Sequence, residues 1–124
     1  MENRKKYEDA KQSFRINVIK ANIRDYENKL SVKQLNQAVD EYRAEARFIA
    51  KNYRRKINDF AKLINDEDIN VRLCAAICLV EFMGCSKRIY WKSIEVIKEL
   101  LASESLPPYI AIGMKYWLVD YDRM

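Results

Sequence analysis

Residues Ile64–Leu79 read INDEDINVRLCAAICL, and two incompatible chemistries compete for them. Asp66, Asp68 and Asn70 stand at alternate positions, as the first three oxygen ligands of a calcium loop do. The remainder of such a loop is missing: Val71 takes the position that needs glycine for the sharp turn, and Ile77 that of the bidentate glutamate. Cys74 and Cys78 put two sulfurs on one helix face, but a closed zinc site needs four ligands and the only other cysteine is Cys85. The better reading is a helix start. Asp68 caps the exposed N–H groups of the first turn, Asp66 and Glu67 place negative charge at the positive end of the helix dipole, and the cysteines are small core residues. On this reading Ile69–Met83 is a helix that is apolar nearly all round apart from Asn70, Arg72 and Glu81, and therefore buried, with Gly84 as its left-handed C-terminal cap. No metal is expected.

The composition agrees with helices throughout. A chain of 124 residues that is 49% hydrophobic can bury roughly two-thirds of the surface its unfolded form exposes. Its two glycines and two prolines leave almost no material for hairpins or glycine-rich turns, so the fold class is all-α. The absence of histidine removes Ser-His-Asp and Cys-His pairs, mixed Cys/His zinc sites and the side chain best suited to proton transfer near neutrality. Phosphate-cradling glycine loops are absent too. A non-catalytic protein without cofactors is the expectation. The first residues lack a signal-peptide core, the longest charge-free apolar runs are about half a bilayer span, and three cysteines make no disulfide framework. Those features point to a reduced, cytoplasmic protein with no membrane contact.

Working towards the N-terminus, Lys5–Leu30 contains no Gly or Pro and carries two apolar stripes on opposite sides. Tyr7, Ala10, Phe14, Val18 and Ala21 form one; Ile16, Ile19, Ile23, Tyr26 and Leu30 form the other. Either the chain breaks into two helices near residues 16–18, or one helix changes its buried face there; the lack of a breaker favours one helix. Ser31 with Gln34 offers a capping box for a second helix. Val32, Leu35, Val39, Tyr42, Ala46, Ile49 and Tyr53 then alternate steps of three and four, the seam of an antiparallel hairpin over about 5–52. Lys56 interrupts the seam, which predicts a bend near Asn52 and a third helix over about 54–64. Beyond Gly84, Ile94, Ile97 and Leu101 mark a helix from about Tyr90 to Ala102, Ser103–Pro107 is a loop, and Pro108 opens a last helix carrying Ile110, Met114, Trp117, Leu118 and Tyr121.

The segment FAKLINDEDINVRLCAAICLVEF, residues 60–82, resembles a HEAT-type repeat. Leu63, Asp66, Asp68, Val71, Arg72, Ala75, Ala76 and Leu79 match its pattern, while Ile69 replaces the proline common at the first helical position. The resemblance implies that Arg72 pairs with Asp66 or Asp68 in a structural role. A weaker second copy follows at a separation of 38 residues, with Leu101 after Leu63 and Trp117 after Leu79, although Ile110 stands where Arg72 would recur. The whole chain resembles a small bacterial HEAT-like family of unknown function, some members of which resemble toxin-system immunity proteins. It implies one domain, 1–124, of antiparallel helical hairpins stacked as a short right-handed array of about five to six helices, with helix pairs over about 54–83 and 90–122.

Two features bear on partners. Residues 1–65 carry 16 Lys/Arg against 9 Asp/Glu, whereas 66–124 carry 7 against 9, an asymmetry that orients the field of the molecule. The basic excess includes Arg43, Arg47, Lys51 and Arg55, each four residues after the last, with Arg54 and Lys56 beside them. Like charges at this spacing repel, and Asp40 and Asp59 relieve only the ends, so the middle calls for acids from the first helix (Glu8, Asp9, Asp25 or Glu27) or from a partner. The plainest reading is a solvated face partly paired with those first-helix acids; as a binding surface the stripe fits an acidic protein partner first and a phosphate backbone second, the latter disfavoured because Tyr42 and Tyr53 belong to the seam rather than to a base-stacking surface. Tyr109, Tyr116 and Tyr121 on the last helix form a possible aromatic contact patch.

Overall fold

The computed structural model describes residues 5–22 and 29–122, with side chains described for 5–22 and 37–122. Among the described residues every regular element is a helix. The chain falls into two compact units, Met1–Phe60 and Ala61–Met124.

In the first unit, α1 (Tyr7–Ala21) and α2 (Lys29–Asn52) form the expected hairpin. Tyr7 packs on Tyr53 and Phe14 on Tyr42, so the two helices run antiparallel. The first of the two stripes is the core: Tyr7, Ala10, Phe14 and Val18 are buried against Ala38, Ala46 and Ile49, while Ile16 is 53% exposed. Phe14 also meets Phe60 edge to face, centroids 4.9 Å apart, an arrangement that matches the negative face of one ring to the positive edge of the other.

The single long helix expected over 5–30 is not formed. α1 stops at Ala21: Asn22 leaves helical geometry at φ −101° and ψ 6°, its backbone N–H turns to Ile19, and its Nδ2 donates to the Val18 carbonyl at 2.7 Å. Ile23 and Tyr26 lie outside the described residues, as do the side chains of Leu30, Val32 and Leu35. The helix start expected at Ser31 is also displaced: α2 has begun by Lys29, so Ser31 sits within it. Lys29 and Leu30 are good helix formers and carry the helix back past the serine.

The break near Asn52 is present. Asn52 Nδ2 bonds the Phe48 carbonyl, and Tyr53 leaves helical geometry at φ −133° and ψ 50°. Beyond it the chain winds more tightly than the α-helix expected over 54–64. A 3₁₀ turn at Arg54–Lys56 leads into the single α turn α3 (Ile57–Phe60), and a second 3₁₀ segment, Ala61–Asn65, opens the second unit.

The second unit contains α4 (Ile69–Glu81), α5 (Lys87–Ala102) and α6 (Pro108–Tyr121). The Asp-rich turn folds as a helix start: Asp68 Oδ1 accepts the N–H groups of Asn70 at 2.8 Å and Val71 at 3.1 Å, and Asp66 Oδ1 accepts that of Asp68 at 2.9 Å. Val71, Ala75, Ala76, Cys78 and Leu79 are buried. The helix closes two residues before Met83, with the N–H groups of Phe82 and Met83 both on the Cys78 carbonyl, and Gly84 adopts φ 66°. α5 begins three residues earlier than expected because Ser86 Oγ caps it by accepting from Ile89 N–H at 3.3 Å. Ile94, Ile97 and Leu100 supply its buried face. α6 starts at Pro108 as expected, yet Met114 is its only buried residue.

Candidate interaction surfaces

The basic stripe is built on α2 up to the break and no further. Arg47 and Lys51 are exposed and Arg43 half-buried on one face of that helix, but the turn at Tyr53 ends the four-residue ladder before Arg55. Arg54 and Arg55 are exposed on the 3₁₀ turn instead, and Arg54 Nη1 bonds back to the Ala50 carbonyl at 3.3 Å. The ladder is therefore three residues long, with a second basic corner beside it. Around it, acids are engaged by other groups: Lys5 Nζ pairs with Glu45 at 2.8 Å, and Asp59 accepts from Lys11 Nζ at 3.0 Å and from the Tyr7 hydroxyl at 2.6 Å. Lys56 Nζ stands 5.8 Å from the Tyr7 ring centroid, within cation–π range. Burial, then the Asp59 hydrogen bond and charge, and then Glu8, push the Tyr7 phenol far above its ordinary value. Glu8 and Asp9 are exposed on α1; Asp25 and Glu27 lie outside the described residues. Tyr42 and Tyr53 pack on Phe14 and Tyr7, which takes them away from any base-stacking role.

The aromatic patch divides. Tyr121 turns inward: its ring stacks on Trp117 with centroids 4.5 Å apart, and its carbonyl accepts from the Tyr90 hydroxyl at 2.6 Å. Tyr109 and Tyr116 point outward at 54% and 73% exposure, joined by Ile112 at 56% and Val119 at 72%. The four residues follow steps of three, four and three, so they form one continuous apolar face along α6. Ile112 and Val119 are not among the residues expected in this patch, although their spacing from Tyr109 carries the signal. The sequence reading assigns Tyr109, Tyr116 and Tyr121 to a contact patch but leaves Ile112 and Val119 unassigned, whereas α6 carries both on its exposed face.

Asp68 and Asp66 serve backbone N–H groups, and the ion pair implied for Arg72 is absent among the described residues. Arg72 Nε is buried without a hydrogen-bond partner. An unsatisfied buried donor costs about 1–3 kcal/mol, so this guanidinium is held at a cost. It lines a cleft of about 510 Å³ between the Ile64–Arg72 segment and α5, whose other walls include Ile69, Val96, Glu99 and Ser103. The two aspartates and Arg72 thus share a corner of the fold without the pairing that the repeat pattern implies.

None of the three cysteines forms a disulfide. Cys85 donates its thiol to the Leu79 carbonyl at 3.3 Å, and burial raises its pKa, which keeps it a thiol rather than a thiolate. Among the described residues no group of three His, Cys, Asp or Glu is placed to hold a metal ion, and no helix is long and apolar enough to cross a membrane.

These surfaces define an all-helical chain with an exposed apolar helix face, a basic ladder and an acid-rimmed cleft. The chain matches no family model, no curated protein and no solved structure.

Proposed function

We propose that the chain is a non-catalytic, cytoplasmic helical module that binds another protein. The carrying observation is the face Tyr109–Ile112–Tyr116–Val119, four large apolar side chains exposed along α6. Contiguous exposed apolar surface of this kind marks interaction sites, and tyrosine supplies contact area at low entropic cost. The basic ladder Arg43, Arg47 and Lys51 adds steering towards an acidic partner, a contribution to association rate more than to affinity. The most concrete version is a toxin-neutralising immunity protein with a HEAT-like stack of helix pairs, a reading supported by the match of residues 60–82 to that repeat pattern. Nucleic acid is the weaker alternative, because the tyrosines nearest the ladder are packed in the hairpin.

The test places a photo-crosslinking amino acid at Tyr116 in vivo, identifies the captured protein, and measures its affinity in purified form for the parent and for Tyr116→Asp/Val119→Asp. Loss of roughly a hundredfold or more with unchanged circular dichroism supports the reading. Equal affinity removes α6 from it, and capture of nucleic acid by a crosslinker at Lys51 favours the alternative.

A further inference from the structure

The cleft beside Arg72 does not stand alone. A second cleft of about 190 Å³ shares Ile64, Asn65, Val96 and Glu99 with it and continues along α5 to Glu95 and Lys92. Together they make one trough running beside α5 from Lys92 to Ser103. At the helical rise of about 1.5 Å per residue that is about 16 Å, the length of roughly five extended residues.

The chemistry of the trough is graded. Its floor is apolar, with Ile64, Ile69, Val96 and Leu100. One bank carries Glu95 and Glu99, both exposed and four residues apart, so they lie on the same face of α5. The opposite end carries Arg72, which lines the cleft while its Nε is shielded from solvent. At the end lined by Lys92, the two acids Glu95 and Glu99 outnumber the one base, so that end favours a cation over an anion. A suitable guest brings a cation to the Glu95–Glu99 bank, aliphatic surface to the floor, and a neutral acceptor to the Arg72 guanidinium. An extended peptide containing lysine or arginine has all three: the charged tip, the methylene stem and a backbone carbonyl a few residues along.

We propose that this trough binds an extended segment of a partner protein centred on a basic residue, with Glu95 and Glu99 holding the cation and Arg72 holding a main-chain carbonyl. The site is separate from the α6 face, so either can fail without the other.

The probe is the blocked, fluorescein-labelled pentapeptide Ala-Ile-Lys-Ile-Ala, compared by anisotropy with versions carrying norleucine or glutamate in place of lysine. The lysine peptide binds roughly tenfold or more tighter than either. Glu95→Gln/Glu99→Gln, whose altered side chains are exposed and whose melting matches the parent, brings the lysine and norleucine peptides to equal affinity. Arg72→Lys, which keeps the charge but loses the planar donor edge, weakens both peptides by a similar factor. In the parent protein the Arg72 Nε–H resonance shifts when the lysine peptide saturates. Equal binding of the three peptides, a lysine preference that survives in the double variant, or an unmoved Arg72 resonance overturns the proposal. So does a dimer in sedimentation that Glu95→Gln/Glu99→Gln dissociates, since a second copy then occupies the trough.

Discussion

Trp117 Nε1 donates to Glu81 Oε2 at 2.8 Å, so the last helix is tied to the C-terminal turn of α4 by a hydrogen bond to a carboxylate. α6 buries only Met114, which makes this bond and that of the Tyr90 hydroxyl to the Tyr121 carbonyl a large share of what fixes its position. Trp117→Phe keeps most of the ring surface but removes the donor, and should cost about 1.5–3 kcal/mol. Urea denaturation checks it, with Glu81→Gln, which retains an acceptor, losing less.

Asp68 holds two N–H groups at the start of α4. Asp68→Ala should destabilise the protein by about 1 kcal/mol, whereas Asp68→Asn, still able to accept, should be close to neutral. Both aspartates of the turn accept backbone donors, so a chelator such as EDTA should leave the melting temperature unchanged. A melting temperature that falls with EDTA would instead assign these carboxylates to a metal.

Tyr7 gives the first unit a pH dependence at the alkaline end. Its folded pKa is raised above the ordinary value near 10, by burial first and then by Asp59. The folded state therefore binds the phenolic proton more tightly than the unfolded chain does. Its contribution is fully present below about pH 10 and is lost as pH rises beyond that. Denaturant midpoints measured from pH 8 upward should fall above pH 10 in the parent, and Tyr7→Phe should flatten that limb.

The basic ladder is exposed at Arg47 and Lys51. Reversing both charges, Arg47→Glu/Lys51→Glu, should change stability by no more than about 0.5 kcal/mol. The same variant should slow association with an acidic partner roughly tenfold at low salt and much less at high salt. Stopped-flow association at two ionic strengths separates steering from contact.

The parts of the fold that are legible in the sequence are those where one local device dominates. The cap at Asp68, the left-handed Gly84, the break after Asn52 and the proline at the start of α6 all act within a few residues of where they are written. The Asn22 break is hidden because no glycine or proline marks it, and the same asparagine bond to a carbonyl four residues back occurs at Asn17 inside the unbroken helix. Apolar spacing alone starts α5 three residues late, since the Ser86 cap lies ahead of the first buried position. The Arg72 pairing belongs to the repeat pattern, which records which residues occur together; here Oδ1 of Asp66 and Oδ1 of Asp68 serve backbone donors. The α6 face is half legible, since a helix apolar on both sides does not announce from spacing alone which side meets the core.

Cys85 makes the corner between α4 and α5 self-reporting. Its sulfur donates to the Leu79 carbonyl, and burial suppresses the thiolate that alkylating reagents require. Modification at Cys85 is therefore slower than at a free thiol, and the ratio of the two rates measures how strongly the folded connection 82–86 protects the sulfur. The unmodified chain thus carries an internal reporter of the integrity of the corner at which α5 turns back along α4.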